Sequence, residues 1–354
     1  MVTLKQIASQ AGTTIATVSR ALRGAPDISA ERKAEIRQIA RELGYRRNPN
    51  VSALMRHIRQ GRRELPHKAT VALLLTHSLP PAEARRDLVF VNRRFLGMER
   101  RLAERGYRPA TFWYNDPDCP PARLNRILRA RGIRGLALML FAQPGITIEL
   151  DWEKFTVATQ SDFSVGPSLH RVAEDYFANT ATAMIHLWKS GCRRIGLAYK
   201  ATHVPSARFR ITAAFRRFIE LGGETDAINT RSRPRPHQLA IHIPPAGQWT
   251  EQAFMTWFRR EKPDAILTFD WGDIPGWLAR AGVRVPDDVS IAVLNRCPSA
   301  PEFSGIDPEP ERLGATSVDL VIEQLESNET GLPENPKILT LPGRWVEGRT
   351  TRPA

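Results

Sequence analysis

The chain has 354 residues, 42% hydrophobic and 25% charged, with a formal net charge of +14. That length exceeds one small domain and supports a large core, and the composition is that of a soluble globular protein. No run approaches the ~18 apolar residues that span a bilayer, and the opening MVTLKQIA lacks an export signal's apolar stretch. The expected location is therefore the cytoplasm, with no membrane partner. Cys119, Cys192 and Cys297 are odd in number and far apart. Isolated thiols are expected rather than a disulfide framework or zinc knuckle, and no cofactor or metal is implied.

The charge is uneven. Up to Leu65, thirteen lysines and arginines face five acids, a net +8 and more than half of the total excess. Such a basic segment is the electrostatic footprint of a nucleic-acid partner.

Three short helices are predicted there. Thr3 precedes Gln6 at capping-box spacing, and Ile7, Ala8 and Ala11 form one apolar face that stops at Gly12. Thr14 then caps a second helix, in which Val18 and Leu22 point inward while Ile15, Ala16, Ser19 and Arg20 point elsewhere. Ser29 caps a third helix carrying Ile36, Ala40 and Leu43, with Gly44 at its end. This is a helix-turn-helix arrangement, whose second helix enters the major groove. Arg20 suits a bidentate grip on guanine, and the hydroxyls of Thr3, Thr14, Thr17, Ser19 and Ser29 suit phosphates. Arg23 is counted as a further DNA contact.

Asn48 and Pro49 open another helical pattern that runs to Arg56, too short to be stable alone in water. It is expected to order only with a second copy and DNA. Gln60 to Lys68, polar and broken by Pro66, reads as a linker.

Beyond it the pattern changes. Ala69–Thr76, Tyr107–Tyr114, Gly135–Phe141, Phe155–Gln160, Arg194–Tyr199, Ala265–Asp270 and Ser290–Asn295 read as buried strands. Helical patterns fall at Asn92–Arg105, Pro121–Arg131, Tyr176–Ser190, Ser206–Leu221, Trp249–Arg260 and Asp273–Ala281. The alternation predicts parallel sheets with helices on both faces, and the length suits two sheets. Ligands meet such sheets at the carboxyl ends of the strands. His170 and Glu174 have an i, i+4 spacing that would suit a metal, with no third ligand nearby. Trp249 and Trp257 read as core, and Arg231 to Gln238 as an exposed basic loop.

The strings TLKQIA, AGTTIATVSRAL and ELGYRRNP, at these spacings, resemble the lactose-repressor/galactose-repressor family of bacterial transcription regulators. The resemblance implies that Ile15 and Ala16 set operator preference, with Arg20 as a further base contact. It places Leu54 as the hinge wedge in the minor groove at the centre of a palindromic operator, with Tyr45 and Asn48 among the DNA contacts. Val51-Ser52-Ala53 departs from the usual Ala-Arg-Ser of that hinge.

WKSGCRRIGLAY, KPDAILTFD, ARAGVRVPDDVSI and ERLGATSVDLVIEQL resemble the same family's two-lobed, periplasmic-binding-protein-like body. The implied domains are a head at 1–46, a hinge helix and linker at 47–68, and an effector-binding and dimerisation body at 69–354. Lobe one is expected at about 69–163 plus 297–325, and lobe two at about 164–296 plus 326–354. The resemblance places ligand contacts at Arg210, favoured over Arg208, at Asp270 with Trp271, and at Asn295, where many relatives carry aspartate. Asp162 and Phe163 follow a strand in the same way. A solvated arginine and a helix N-cap are the bland alternatives for Arg210 and Asp270.

The expectation is a ligand-responsive DNA-binding regulator, a repressor, acting as a homodimer on a pseudo-palindromic operator with a carbohydrate or nucleoside effector. A periplasmic solute receptor would need an export signal and no head. An enzyme is not expected, since no G-x-G-x-x-G follows the first strand and neither a P-loop nor a G-x-S-x-G elbow occurs.

Overall fold

The computed structural model describes residues 4–22, 28–43, 67–75, 85–114, 116–139, 148–160, 167–201, 205–221, 239–269 and 272–353. The chain divides into two compact units, Met1–Leu65 and Pro66–Ala354. The hinge helix expected from Asn48, with Thr3, Arg23, Gly44, Tyr45 and Leu54, lies outside the described residues.

In the head, α1 (Leu4–Gln10), α2 (Ile15–Leu22) and α3 (Ala30–Glu42) enclose Ile7, Ala8, Ala11, Val18, Ala21, Ile36 and Ala40. These are the apolar positions that the helical period brings to one side of each helix. Gly12 ends α1 at φ +57, the left-handed conformation glycine adopts at no steric cost.

The body holds two six-stranded sheets. In chain order its elements are β1 (Thr70–Leu75), α4 (Arg85–Glu104), β2 (Arg108–Trp113), α5 (Pro121–Ala130), β3 (Gly135–Met139), β4 (Thr156–Thr159), β5 (His170–Glu174) and α6 (Tyr176–Lys189). There follow β6 (Ile195–Ala198), α7 (Pro205–Glu220), β7 (Ile241–His242), α8 (Glu251–Glu261), β8 (Ala265–Thr268), α9 (Ile274–Arg280), β9 (Ser290–Val293), β10 (Ser304–Asp307), α10 (Pro310–Ser327), β11 (Ile338–Leu341) and β12 (Arg344–Val346).

Sheet one has the order β11-β5-β4-β3-β1-β2, with every pair parallel. Val71 and Leu73 face Met98, Leu102, Leu313 and Val321 of α4 and α10, while Ala72 and Leu74 face Leu124 and Leu128 of α5. A strand buried on both faces needs apolar side chains at consecutive positions, which is why TVALLL is continuous rather than alternating. Sheet two has the order β12-β10-β9-β8-β6-β7, parallel except that β12 runs antiparallel to β10. It is covered by α6 and α7 on one face and α8 and α9 on the other.

The expected lobe boundaries need three corrections. His170–Glu174 pairs with β4 in sheet one, not with lobe two. Ser304–Asp307 pairs with β9 in sheet two, although its segment was expected to return to lobe one. Ile338–Leu341 pairs with β5 in sheet one, not with lobe two. A polar strand, or one with an exposed edge, carries little of the apolar run by which sheet membership is read. In addition α4 begins at Arg85, seven residues before the expected Asn92.

The chain therefore passes between the sheets three times, at Glu174 to Tyr176, Asp307 to Pro310 and Leu341 to Arg344. The passages run side by side. Asp175 N donates to Leu341 O at 2.9 Å, Gly343 N donates to Asn179 Oδ1 at 2.7 Å, and Asp307 is in register with Arg344. A side chain on Gly343 would stand 2.5 Å from Asp307 O, so only glycine lets two passages touch.

Candidate nucleic-acid interface and effector cleft

In the head, the second helix is capped at its start and packed along one side. Thr14 Oγ1 accepts from Thr17 N at 3.1 Å and pairs with Thr17 Oγ1 at 2.9 Å, the N-cap expected from the sequence. Val18 and Ala21 are buried against α1 and α3, with Leu22 partly buried beside them. This leaves Thr14, Ile15 and Arg20 exposed on the other side, with Thr17 half-buried. Ile15 is 48% exposed, an apolar side chain in solvent at the first position of a short helix. It has no core role there, and an apolar group at that point suits a thymine methyl. Ala16 and Ser19 belong to the same helix.

Ser29 is exposed and caps α3, accepting from Arg32 N at 3.3 Å. The Glu31 carboxyl is hydrogen-bonded by its own backbone amide, and then by the Ser29 hydroxyl, which hold it below the usual carboxylate pKa. Arg32 has a role that charge counting does not reveal. Its guanidinium donates to Ala11 O at 2.6 Å and to Glu35 Oε2 at 2.5 Å, tying the end of α1 to α3. Only the Glu35 pairing, three residues along α3, has a local signal; the reach to Ala11 depends on how α1 and α3 meet.

In the body, the two described ligand candidates, Arg210 and Asn295, follow strands β6 and β9 of sheet two. Asn295 is half-buried, two residues beyond β9. Arg210 is half-buried in the second turn of α7, and its neighbour Phe209 is exposed. Tyr176, Tyr199 and Phe269 form an apolar layer at this end of the sheet, with Phe269 6.4 Å from each tyrosine ring. Asp162, Phe163, Asp270 and Trp271 lie outside the described residues, although the strands that lead to them, β4 and β8, are described. A shallow groove of about 360 Å³ along α5 is walled by Asn125, Arg126, Arg129, Glu149 and Asp151, none of which was expected to meet a ligand.

His170 and Glu174 do not converge on a metal. Both lie on β5, where four residues span about 13 Å. His170 Nδ1 accepts from Lys337 N at 2.9 Å, and Glu174 pairs with Arg94. Burial, with Lys337 nearby, holds His170 below the usual histidine pKa. Among the described residues no cluster of three or more histidine, cysteine, aspartate or glutamate side chains is placed to hold a metal ion. None of the described helices is long and apolar enough to cross a membrane.

Around the passages, Arg93 Nε donates to Glu311 Oε1 at 2.6 Å and its Nη1 lies 3.6 Å from Asp307 Oδ1. Burial alone would lower the Arg93 pKa, and the two carboxylates outweigh it, so the pKa is raised. The sequence reading missed both arginines. Arg93 and Arg94 look like surface charges on an amphipathic helix until the partners 80 and 218 positions away are known.

Comparison with known proteins gives one account of head and body together. Residues 3–48 match the model of the bacterial regulatory proteins of the lacI family, and residues 184–351 match that of the periplasmic binding protein-like domain. The HTH-type transcriptional regulator GntR of Pseudomonas aeruginosa is 24% identical over 335 residues, spanning 92% of this chain and 90% of that protein. The structure of the transcriptional regulator CelR in complex with cellobiose is similar with a TM-score of 0.55 and 18% identity, over 99% of this chain and 100% of that one. The lac repressor dimer bound to operator and the anti-inducer ONPF is similar with a TM-score of 0.55 and 19% identity, over 99% of both chains.

Proposed function

Because the chain belongs to the lacI family of bacterial regulatory proteins and is a transcription regulator with a periplasmic-binding-protein-like domain, we propose that it is a repressor that binds a pseudo-palindromic operator as a homodimer. The effector is a small carbohydrate or nucleoside held between the lobes. The observation that carries this reading is the α2 surface, with Ile15 and Arg20 exposed on a helix whose other side is core. Arg20 reads a guanine, Ile15 and Ala16 set operator preference, and Leu54 wedges the centre of the site. Thr3, Thr14, Thr17, Ser19, Arg23, Ser29, Tyr45 and Asn48 hold backbone and register.

Arg210, Asn295, Asp270, Trp271, Asp162 and Phe163 bind the effector. The cellobiose named with CelR and the ribose named with a regulator from Enterococcus faecium support the carbohydrate class. A ligand acts by preferring one angle between the lobes, and only differential affinity for two states moves the equilibrium. A swing from nearly full to nearly no DNA occupancy needs about 5.5 kcal/mol of such preference.

The test is a matrix of operator variants. Arg20→Ala is expected to weaken the best site by about 1–3 kcal/mol and to relax preference at one base pair, while Lys5→Ala and Arg47→Ala weaken all sequences alike. Equal, sequence-independent losses from both kinds of substitution would refute base readout by Arg20.

A further inference from the structure

Arg93 and Arg94 are adjacent on α4, and each faces a carboxylate at the end of a strand that leaves its sheet. Arg94 is paired with Glu174 at the end of β5, within lobe one. Arg93 spans both lobes: it is hydrogen-bonded to Glu311 of α10 in lobe one and lies beside Asp307, the last residue of β10 in sheet two.

These two contacts are unequal. The Glu311 contact is a hydrogen bond at 2.6 Å, whereas the Asp307 contact is 3.6 Å, beyond hydrogen-bond range. Arg93 Nη1 is buried, with no acceptor in range. The side chains of Arg93 and Asp307 are only 19% and 14% exposed, so solvent screens the pair weakly. Asp307 Oδ1 is also held by Glu309 N at 3.0 Å, and Glu309, between Pro308 and Pro310, sits at φ +50, a strained position for a side-chain-bearing residue. The second passage therefore stores strain next to an incompletely made ion pair.

We propose that Arg93 is a positioning residue for the angle between the lobes: anchored on Glu311, its guanidinium trades a long ion pair with Asp307 for a hydrogen bond as the lobes turn. The inference rests on the reading of the chain as a ligand-responsive regulator. Its physical origin is the cost of leaving a buried guanidinium N–H unpaired, which the alternative angle removes. The same helix pair leads to the linker end of the body. Asp319 of α10 faces Arg101 and Arg105 of α4, and Glu326 faces Tyr107 and Lys68, the latter just inside the start of the body.

The experiment measures the distance between lobes in the full chain without DNA or effector. Spin labels on Arg126→Cys in α5 and Arg259→Cys in α8, both exposed positions, are placed in a Cys119→Ser background and read by pulsed dipolar spectroscopy. Arg93→Gln and the isosteric Asp307→Asn are expected to shift the ratio of the two lobe separations about tenfold, the worth of one charge-assisted hydrogen bond. Arg93→Lys, which keeps the charge, is expected to restore part of the shift. Arg280→Gln, which breaks an ion pair within lobe two, leaves the distribution unchanged. Wild-type distributions in both Arg93→Gln and Asp307→Asn would overturn the proposal. The distance readout is independent of DNA, so it fails separately from the regulator reading, which sequence preference tests.

Discussion

Helices α4 and α10 cross at two glycines, and that crossing is sharply testable. A Cβ built on Gly97 would lie 2.1 Å from Glu311 O, and one on Gly314 would lie 2.0 Å from Arg94 O. Both obstacles are backbone, so no side chain can swing aside. To reach an ordinary contact the helices must separate by roughly 1 Å, which strips contact from Met98, Leu313 and Val321 in the core beneath. Overpacking of this kind costs up to about 3 kcal/mol, and the gain in helix propensity from glycine to alanine returns about 1. Gly97→Ala is therefore expected to destabilise the body by about 2 kcal/mol and lower its melting temperature by about 4–8 °C.

Gly276→Ala in α9 is the control, since its Cβ would meet only Arg280 Nη1 at 3.5 Å. It should be neutral or stabilising by up to about 1 kcal/mol. The double variant Gly97→Ala with Gly314→Ala should cost less than the sum of the single variants, because the first separation makes room for the second. Differential scanning calorimetry of the full chain gives all four values. A melting temperature for Gly97→Ala within about 1 °C of wild type would refute the close approach.

Three further predictions concern the head, the pH response and the cleft. Thr14→Ala removes the N-cap of α2 and should destabilise the head by about 1 kcal/mol, seen as faster amide exchange in α2 with the body's exchange unchanged. His170 is held below the usual histidine pKa because it is buried and lies near the positive charge of Lys337, so protonation opposes folding. Its contribution is complete above about pH 6.5 and is lost as pH falls through the lower folded-state value. Melting temperature should then decline below that pH, with a shallower decline in His170→Gln, and parallel profiles would exclude the assignment. A carbohydrate or nucleoside that fits the cleft should raise the body's melting temperature, by about 2.7 kcal/mol of stabilisation at a hundredfold excess over Kd, and Arg210→Ala should abolish that rise.

Much of this was legible in sequence, for particular reasons. Strands buried on both faces, such as TVALLL and GLALM, announce themselves by continuous apolar character. Helices with a cap and a period, such as Tyr176–Lys189, do likewise. The strands that were missed are of other kinds. HRVAE shows its two charges and a histidine, although neighbours in sheet one bury most of it. ILTL is an exposed edge, IH is only two residues long, and SGID carries Gly305 because Val293 O would lie 2.0 Å from a Cβ there. In each case tertiary partners far along the chain decide the strand, and local pattern has no access to them.

The same limit governed the sites. The N-cap Thr14 and the inward Val18 are local, whereas Arg32 on Ala11 and Arg93 between Glu311 and Asp307 depend on how helices meet.

The central claim is that the head reads DNA sequence and the body conditions that reading. Selection of bound fragments from random-sequence DNA by the full-length protein tests it most directly, with the retained pool then challenged by individual small carbohydrates and nucleosides. The expected result is enrichment of an inverted repeat whose retention changes with one such ligand and whose selectivity falls with Arg20→Ala. A pool still random after repeated rounds would contradict the account.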